Sequence, residues 1–135
     1  MAKTLVVEDE NDIRQLLIME LAGRGHQVRE AANGEIALNR VREEIPDIIF
    51  VDIMMPVMGG FDLIAKLREN PTTARIPVVL VSALKPHETK LQPRHFGVEY
   101  HLSKPWEPWA LDSVLNRILR PVTADHNTKA NTIIF

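Results

Sequence analysis

Three short apolar runs punctuate the chain: Leu5-Val6-Val7, Ile48-Ile49-Phe50-Val51 and Val78-Val79-Leu80-Val81. Each is continuous rather than alternating and rich in β-branched residues, the pattern of strands covered on both faces of a parallel sheet. Two weaker candidates, Gln27 to Ala31 and Tyr100 to Leu102, are more polar, as edge strands tend to be. Helical periodicity fills the gaps. Ile13, Leu16, Leu17 and Leu21 fall at offsets 0, 3, 4 and 8, one face of a helix that Gly23 and Gly25 stop. Ala37, Leu38 and Val41 continue the theme after Asn33-Gly34, and Leu63, Ile64 and Leu67 follow Gly59-Gly60. Leu111, Val114, Leu115 and Ile118 make the last stripe. Strand and helix alternate throughout, which predicts right-handed βαβ units in an α/β fold, a doubly wound five-stranded parallel sheet with helices on both faces.

The pattern weakens over residues 85 to 96, where a fourth helix is due. Pro93 falls inside it, and an interior proline costs a helix roughly 3 kcal/mol through a lost donor and a steric clash, so this helix is expected to be short or broken. After Arg120-Pro121 the periodicity ends. Residues 1–120 are therefore taken as the domain and 121–135 as a polar tail or a fragment end, with Val122 to Asn131 disordered in isolation. The last residues, Ile133-Ile134-Phe135, are apolar again. They fit either a chain boundary or a segment that docks on a partner or a sheet edge.

At 135 residues and 15.3 kDa the chain has the length of one domain with a real core. Hydrophobic residues at 45% and charged residues at 25% match a soluble globular protein. A formal net charge of −2 argues against direct nucleic-acid binding. The absence of cysteine excludes disulfides, thiolate metal sites and cysteine nucleophiles. No apolar run is long enough to span a bilayer, the start is too short for a signal peptide, and a cytoplasmic protein is expected.

In open α/β sheets, ligands bind outside the carboxyl ends of the strands. Glu8 and Asp9 follow the first apolar run, Asp52 the third strand, Ser82 the fourth and Lys104 the fifth. Three carboxylates, one hydroxyl and one ammonium thus converge on one sheet edge. Carboxylates that crowd together need a counter-charge, and their hard oxygens suit Mg²⁺. A carboxylate is also a nucleophile towards phosphorus, and the transferred group needs positive charge around its equatorial oxygens.

The run Asp52-Ile53-Met54-Met55-Pro56-Val57-Met58-Gly59-Gly60 resembles the phosphoacceptor motif of response-regulator receiver domains in two-component signal transduction, the CheY-like superfamily. Glu8-Asp9 resembles the family's acidic pair, Ser82-Ala83 its hydroxyl followed by a small residue, and Lys104-Pro105 its Lys-Pro. The resemblance covers about residues 2 to 120. It implies a flavodoxin-like strand order of 2-1-3-4-5. It also implies phosphorylation of Asp52 by a sensor histidine kinase or phosphotransfer protein. Asp9, Asp52 and the Met54 backbone carbonyl would hold Mg²⁺, or Mn²⁺ in its place, with Glu8 helping through water. Lys104 would pair with phosphoryl oxygens, Ser82 would move to bond them, and the bond before Pro105 would be cis. In the family, the face of the fourth helix, fifth strand and fifth helix then changes its protein contacts, with homodimerisation one possible outcome.

The chain departs from the family in two places. His101 stands where an aromatic residue usually rotates inward, so it is either a second switch residue or a partly exposed edge-strand histidine. Pro93 puts a standard symmetric dimer in doubt. Trp109 opens the last helix as either a contact or a packing residue, and Trp106 is taken as structural. Met54 and Leu84 flank the site without a group to orient water, so slow hydrolysis is expected. A degenerate, phosphorylation-independent interaction module is one rival reading. Phosphatases of the haloacid-dehalogenase type are another, but they carry a second Asp two residues after the nucleophile, where this chain has Met54. The expectation is a signalling switch rather than an enzyme, with an unidentified downstream protein as its output. A stand-alone receiver and a fragment of a larger regulator or hybrid kinase both fit.

Overall fold

A computed structural model describes residues 1–55, 57–83, 98, 100–119 and 133–135. Strand β1 (Lys3–Val7) leads to helix α1 (Asn11–Gly23), then β2 (Gln27–Ala31), α2 (Gly34–Glu43), β3 (Ile48–Asp52) and α3 (Gly60–Glu69). Then come β4 (Val78–Ser82), β5 (Tyr100–Ser103), α4 (Pro108–Leu119) and β6 (Ile133–Ile134). Every pairing is parallel. The order β2-β1-β3-β4-β5-β6 contains the expected 2-1-3-4-5 and extends it by one short strand. The expected helix around Pro93, Leu84 beside the site and the polar segment from Val122 to Asn131 lie outside the described residues.

Strand alternation splits the core in two. Leu5, Val7, Ile49, Val51 and Leu80 face α2 and α3, where Leu63, Ile64 and Leu67 are buried with them. On the other face Val6, Ile48, Phe50, Val79 and Val81 pack with Leu17 and Leu21 of α1 and with Leu111 and Val114 of α4. Burial of each large aliphatic side chain is worth about 1.5–3 kcal/mol, so the central strands β3 and β4, buried along their whole length, anchor the site rigidly. Helix α2 starts where the Asn33 side chain accepts a hydrogen bond from the Ile36 amide at 2.9 Å. Helix α1 stops before Gly25, whose φ of 86° needs a residue without a side chain.

The α1 stripe is turned from its expected setting. Leu17 and Leu21 are buried with Ile18 beside them, whereas Leu16 is 50% exposed. Adjacent helix positions differ by about 100°, so one wide stripe leaves open which border meets the sheet.

Candidate functional site

The sheet places its functional groups through register. Val7 pairs with Val51, so Glu8 emerges beside Asp52, the last residue of β3. Asp52 pairs with Val81 and Ser82 with Ser103, which brings Ser82 and Lys104 to the same edge. Glu8, Asp9, Asp52, Met54, Ser82, Lys104 and Pro105 therefore each lie at or one or two residues beyond a strand terminus, whereas His101 lies inside β5. The Lys104 backbone N–H donates to the Ser82 carbonyl at 3.0 Å, and the Lys104–Pro105 peptide bond is cis.

Lys104 is the local counter-charge. Its Nζ lies 2.6 Å from Glu8 Oε1 and 3.6 Å from Asp52 Oδ1. Carboxylate oxygens of Glu8, Asp9 and Asp52 lie within 4.8 Å of one another. Glu8 is only 3% exposed and Asp52 5%. Burial is the main cause that pushes Glu8 up to about 7; the Lys104 ammonium opposes this and the Asp52 carboxylate adds to it. Burial likewise raises Asp52, against hydrogen bonding from Glu8 and the charge of Lys104. Burial would lower Lys104, but Glu8 and then Asp52 outweigh it and hold the ammonium above its ordinary value. Three carboxylates facing one ammonium leave a deficit of positive charge.

The donor set fits a hard divalent cation. Asp9 Oδ1 is buried without a hydrogen-bond partner among the described residues. An orphaned carboxylate oxygen in an acidic cluster is the state that an oxygen-ligated ion relieves. Asp52 Oδ1 already accepts from the Met54 amide at 3.2 Å, which fixes the carboxylate and starts the loop towards α3. In that loop Val57 has a φ of 70°, a left-handed conformation that costs a β-branched residue and is held by its surroundings.

Gly60 closes the loop onto Asp52. Its N–H donates to the Ile53 carbonyl at 3.1 Å. A Cβ there would overlap the Asp52 carbonyl oxygen and stand 3.0 Å from Ile53 Cα. Since those atoms are backbone, Gly60→Ala is expected to destabilise the chain by about 2 kcal/mol and to slow phosphoryl uptake by displacing Asp52. Urea unfolding midpoints and initial uptake rates would check both effects.

Two contacts were invisible in the sequence. Arg14 Nη1 donates to the Glu8 carbonyl at 2.8 Å while its Nε holds Glu30 at 2.8 Å, so it clamps the acidic turn. Trp106 Nε1 donates to the Glu20 carboxylate at 2.7 Å, which ties the β5–α4 turn to α1. A largely apolar groove beside Lys104 and Glu20 is lined by Ile13, Leu16, Ala83, Pro105, Trp106 and Pro108. Only the lone arginine in the first turn of α1 gave any hint of the first contact. Trp109 is 63% exposed.

His101 is not a partly exposed edge histidine. It is 1% exposed and neither ring nitrogen meets a hydrogen-bond partner among the described residues. Burial holds its imidazole below the ordinary value. Strand β6 and Phe135 cover the edge that the sequence left open.

Residues 4–116 match the response regulator receiver domain family. Response regulator PleD of Caulobacter vibrioides is 39% identical over 104 residues, 77% of this chain and 23% of PleD. The phosphate regulon transcriptional regulatory protein PhoB of Escherichia coli is 31% identical over 121 residues, 90% of this chain and 53% of PhoB. The chain thus spans a quarter to a half of these relatives. Among solved structures, chemotaxis protein CheY4 of Vibrio cholerae superimposes with a TM-score of 0.82 at 32% identity, covering 87% of this chain and 98% of CheY4.

Proposed function

The chain belongs to the response regulator receiver domain family, and we propose that it works there as a switch phosphorylated on Asp52. The observation that carries this reading is the convergence of Glu8, Asp9, Asp52 and Lys104 around a buried Asp9 oxygen that has no partner among the described residues. In the proposed step an Asp52 carboxylate oxygen forms a bond to phosphorus as the bond to the donor's leaving atom breaks. Asp9, Asp52 and the Met54 carbonyl would hold Mg²⁺ or Mn²⁺, and Glu8 would act through water. Such an ion would neutralise the carboxylates and draw charge from the phosphoryl oxygens.

Lys104 leaves its short contact with Glu8 to meet the incoming phosphoryl oxygens. Ser82 donates its hydroxyl to the same group. The added charge of roughly −1.5 to −2 is tolerated only when these groups gather around it, and their movement selects a second conformation. His101, buried two strand positions before Ser103, the register partner of Ser82, is proposed to follow. A sensor histidine kinase or phosphotransfer protein would seat on the apolar groove beside Lys104. The downstream protein, or a second copy, would meet the face that β5 and α4 share with the expected fourth helix, where Trp109 is exposed. Residues 1–120 are proposed as the receiver unit. No described helix is long and apolar enough to cross a membrane, which accords with the proposed cytoplasmic location. Exposed Met54 supplies no general base, so slow loss of the phosphoryl group is proposed.

Incubation with acetyl phosphate, with and without Mg²⁺, followed by intact mass measurement tests the reading. A gain of one phosphoryl group that requires Mg²⁺ is expected. No gain with either acetyl phosphate or phosphorylated kinases would favour a phosphorylation-independent interaction module.

A further inference from the structure

The outer side of β5 is occupied by the end of this chain. Tyr100 pairs with Ile133 and His101 with Ile134, in parallel. The Phe135 N–H donates to the His101 carbonyl at 2.8 Å, and the Ser103 N–H donates to the Phe135 carbonyl at 3.0 Å. The Phe135 ring lies 6.3 Å from that of Tyr100 at 34° and packs on the core shared by α1 and α4. Alternation gives Ile133 the same face as Phe135 and turns Ile134 outward, 53% exposed. The seat thus reads an extended segment with large apolar side chains at alternate positions, using backbone bonds for affinity and one aromatic contact for selectivity.

The hold is small by the standard of this sheet. Strands β1, β2, β3 and β4 each run five residues, whereas β6 has two. An occupant fixed by so few bonds exchanges with any segment that makes more of them. We propose that the outer edge of β5 is a peptide-binding surface, and that Ile133–Phe135 is a tethered competitor for an extended, alternately apolar segment of a partner protein. The seat also adjoins the phosphoryl site. The Ser103 amide bonds the occupant, while the next amide, that of Lys104, bonds the Ser82 carbonyl. Exchange of the occupant therefore pulls on the peptide unit that carries the site's ammonium. The peptide seat stands apart from the phosphorylation reading, because it rests on β5 and β6 alone.

The test uses the 135-residue chain, a double variant Ile133→Asp/Phe135→Asp, and the milder Phe135→Ala. The probe is a fluorescent peptide of sequence Asn-Thr-Ile-Ile-Phe, which copies residues 131–135. The double variant is expected to bind the probe at least tenfold more tightly than the parent, with Phe135→Ala between them. Adding Tyr100→Ala to the double variant is expected to return binding to the parental level. The Ser103 amide is expected to exchange slowly with solvent deuterium in the parent and fast in the double variant without probe, while the amides of β3 stay protected in both. Equal probe affinity in parent and variants, or a Ser103 amide that exchanges equally fast in both, would overturn the proposal.

Discussion

An Asp52→Asn chain is expected to gain no phosphoryl group from acetyl phosphate in excess Mg²⁺, and yet to melt at a higher temperature than the parent in EDTA at neutral pH. The two results have one cause. Asp52 is 5% exposed and its carboxyl is raised mainly by burial, so its charge is carried at a cost in the folded state. Two other carboxylates stand within 4.8 Å, while Lys104 is closer to Glu8 than to Asp52. Asparagine has the same shape and keeps an oxygen that accepts from the Met54 amide, now at 3.2 Å. It removes the charge, and with it both the proposed acceptor and the repulsion. Relief of a buried like-charge contact is worth roughly 1–2 kcal/mol, a rise of several degrees in melting temperature. Intact mass and differential scanning calorimetry read the two halves separately. A phosphoryl group found on the variant would place the acceptor elsewhere. A lower melting temperature would mean that Lys104 and the loop amides outweigh the repulsion.

How far the sequence disclosed this arrangement depends on the kind of signal each feature leaves. The central strands were legible because a parallel sheet covered on both faces demands unbroken apolar runs, and β3 and β4 have them. The site was legible for a geometric reason: parallel strands all end at one edge, so residues that follow separate runs must meet there. What was hidden is whatever depends on contacts across elements. Leu16 and Leu17 are equally apolar, and only the docked helix decides which is buried. The Arg14 clamp and the Trp106–Glu20 bond link residues with no shared period. Strand β6 is too short to leave any periodicity. Its pairing in turn decided the surroundings of His101, which the sequence could only divide between an exposed edge and an inward seat.

In the metal-free chain, the Glu8–Asp52 pair is expected to reduce stability as pH rises, and Mg²⁺ is expected to reverse that trend. The Glu8 carboxyl stands near 4.5 when unfolded and about 7 when folded. A carboxyl raised on folding contributes stability that is fully present below the lower value and is lost as pH climbs through the upper one. For Glu8 that loss is roughly 3 kcal/mol across the window, and Asp52, raised likewise, has the same sign. His26 and His101, both lowered chiefly by burial, have the opposite sign, with stability lost as pH falls below their unfolded value of 6.5. The histidines act with or without the ion and so drop out of the difference between the two conditions. Exposed Glu43, lowered by Arg29, drops out as well. Binding of a cation needs the carboxylates deprotonated, so each proton displaced should change affinity about tenfold per pH unit. Melting curves in excess Mg²⁺ and in EDTA should therefore separate progressively between about pH 5 and about pH 7.5. In Glu8→Gln the separation should vary less with pH, because one of the titrating partners is gone. A gap that is constant across the range in the parent would show that the cation does not bind at these carboxylates, and a gap of zero at every pH would remove the ion from the mechanism.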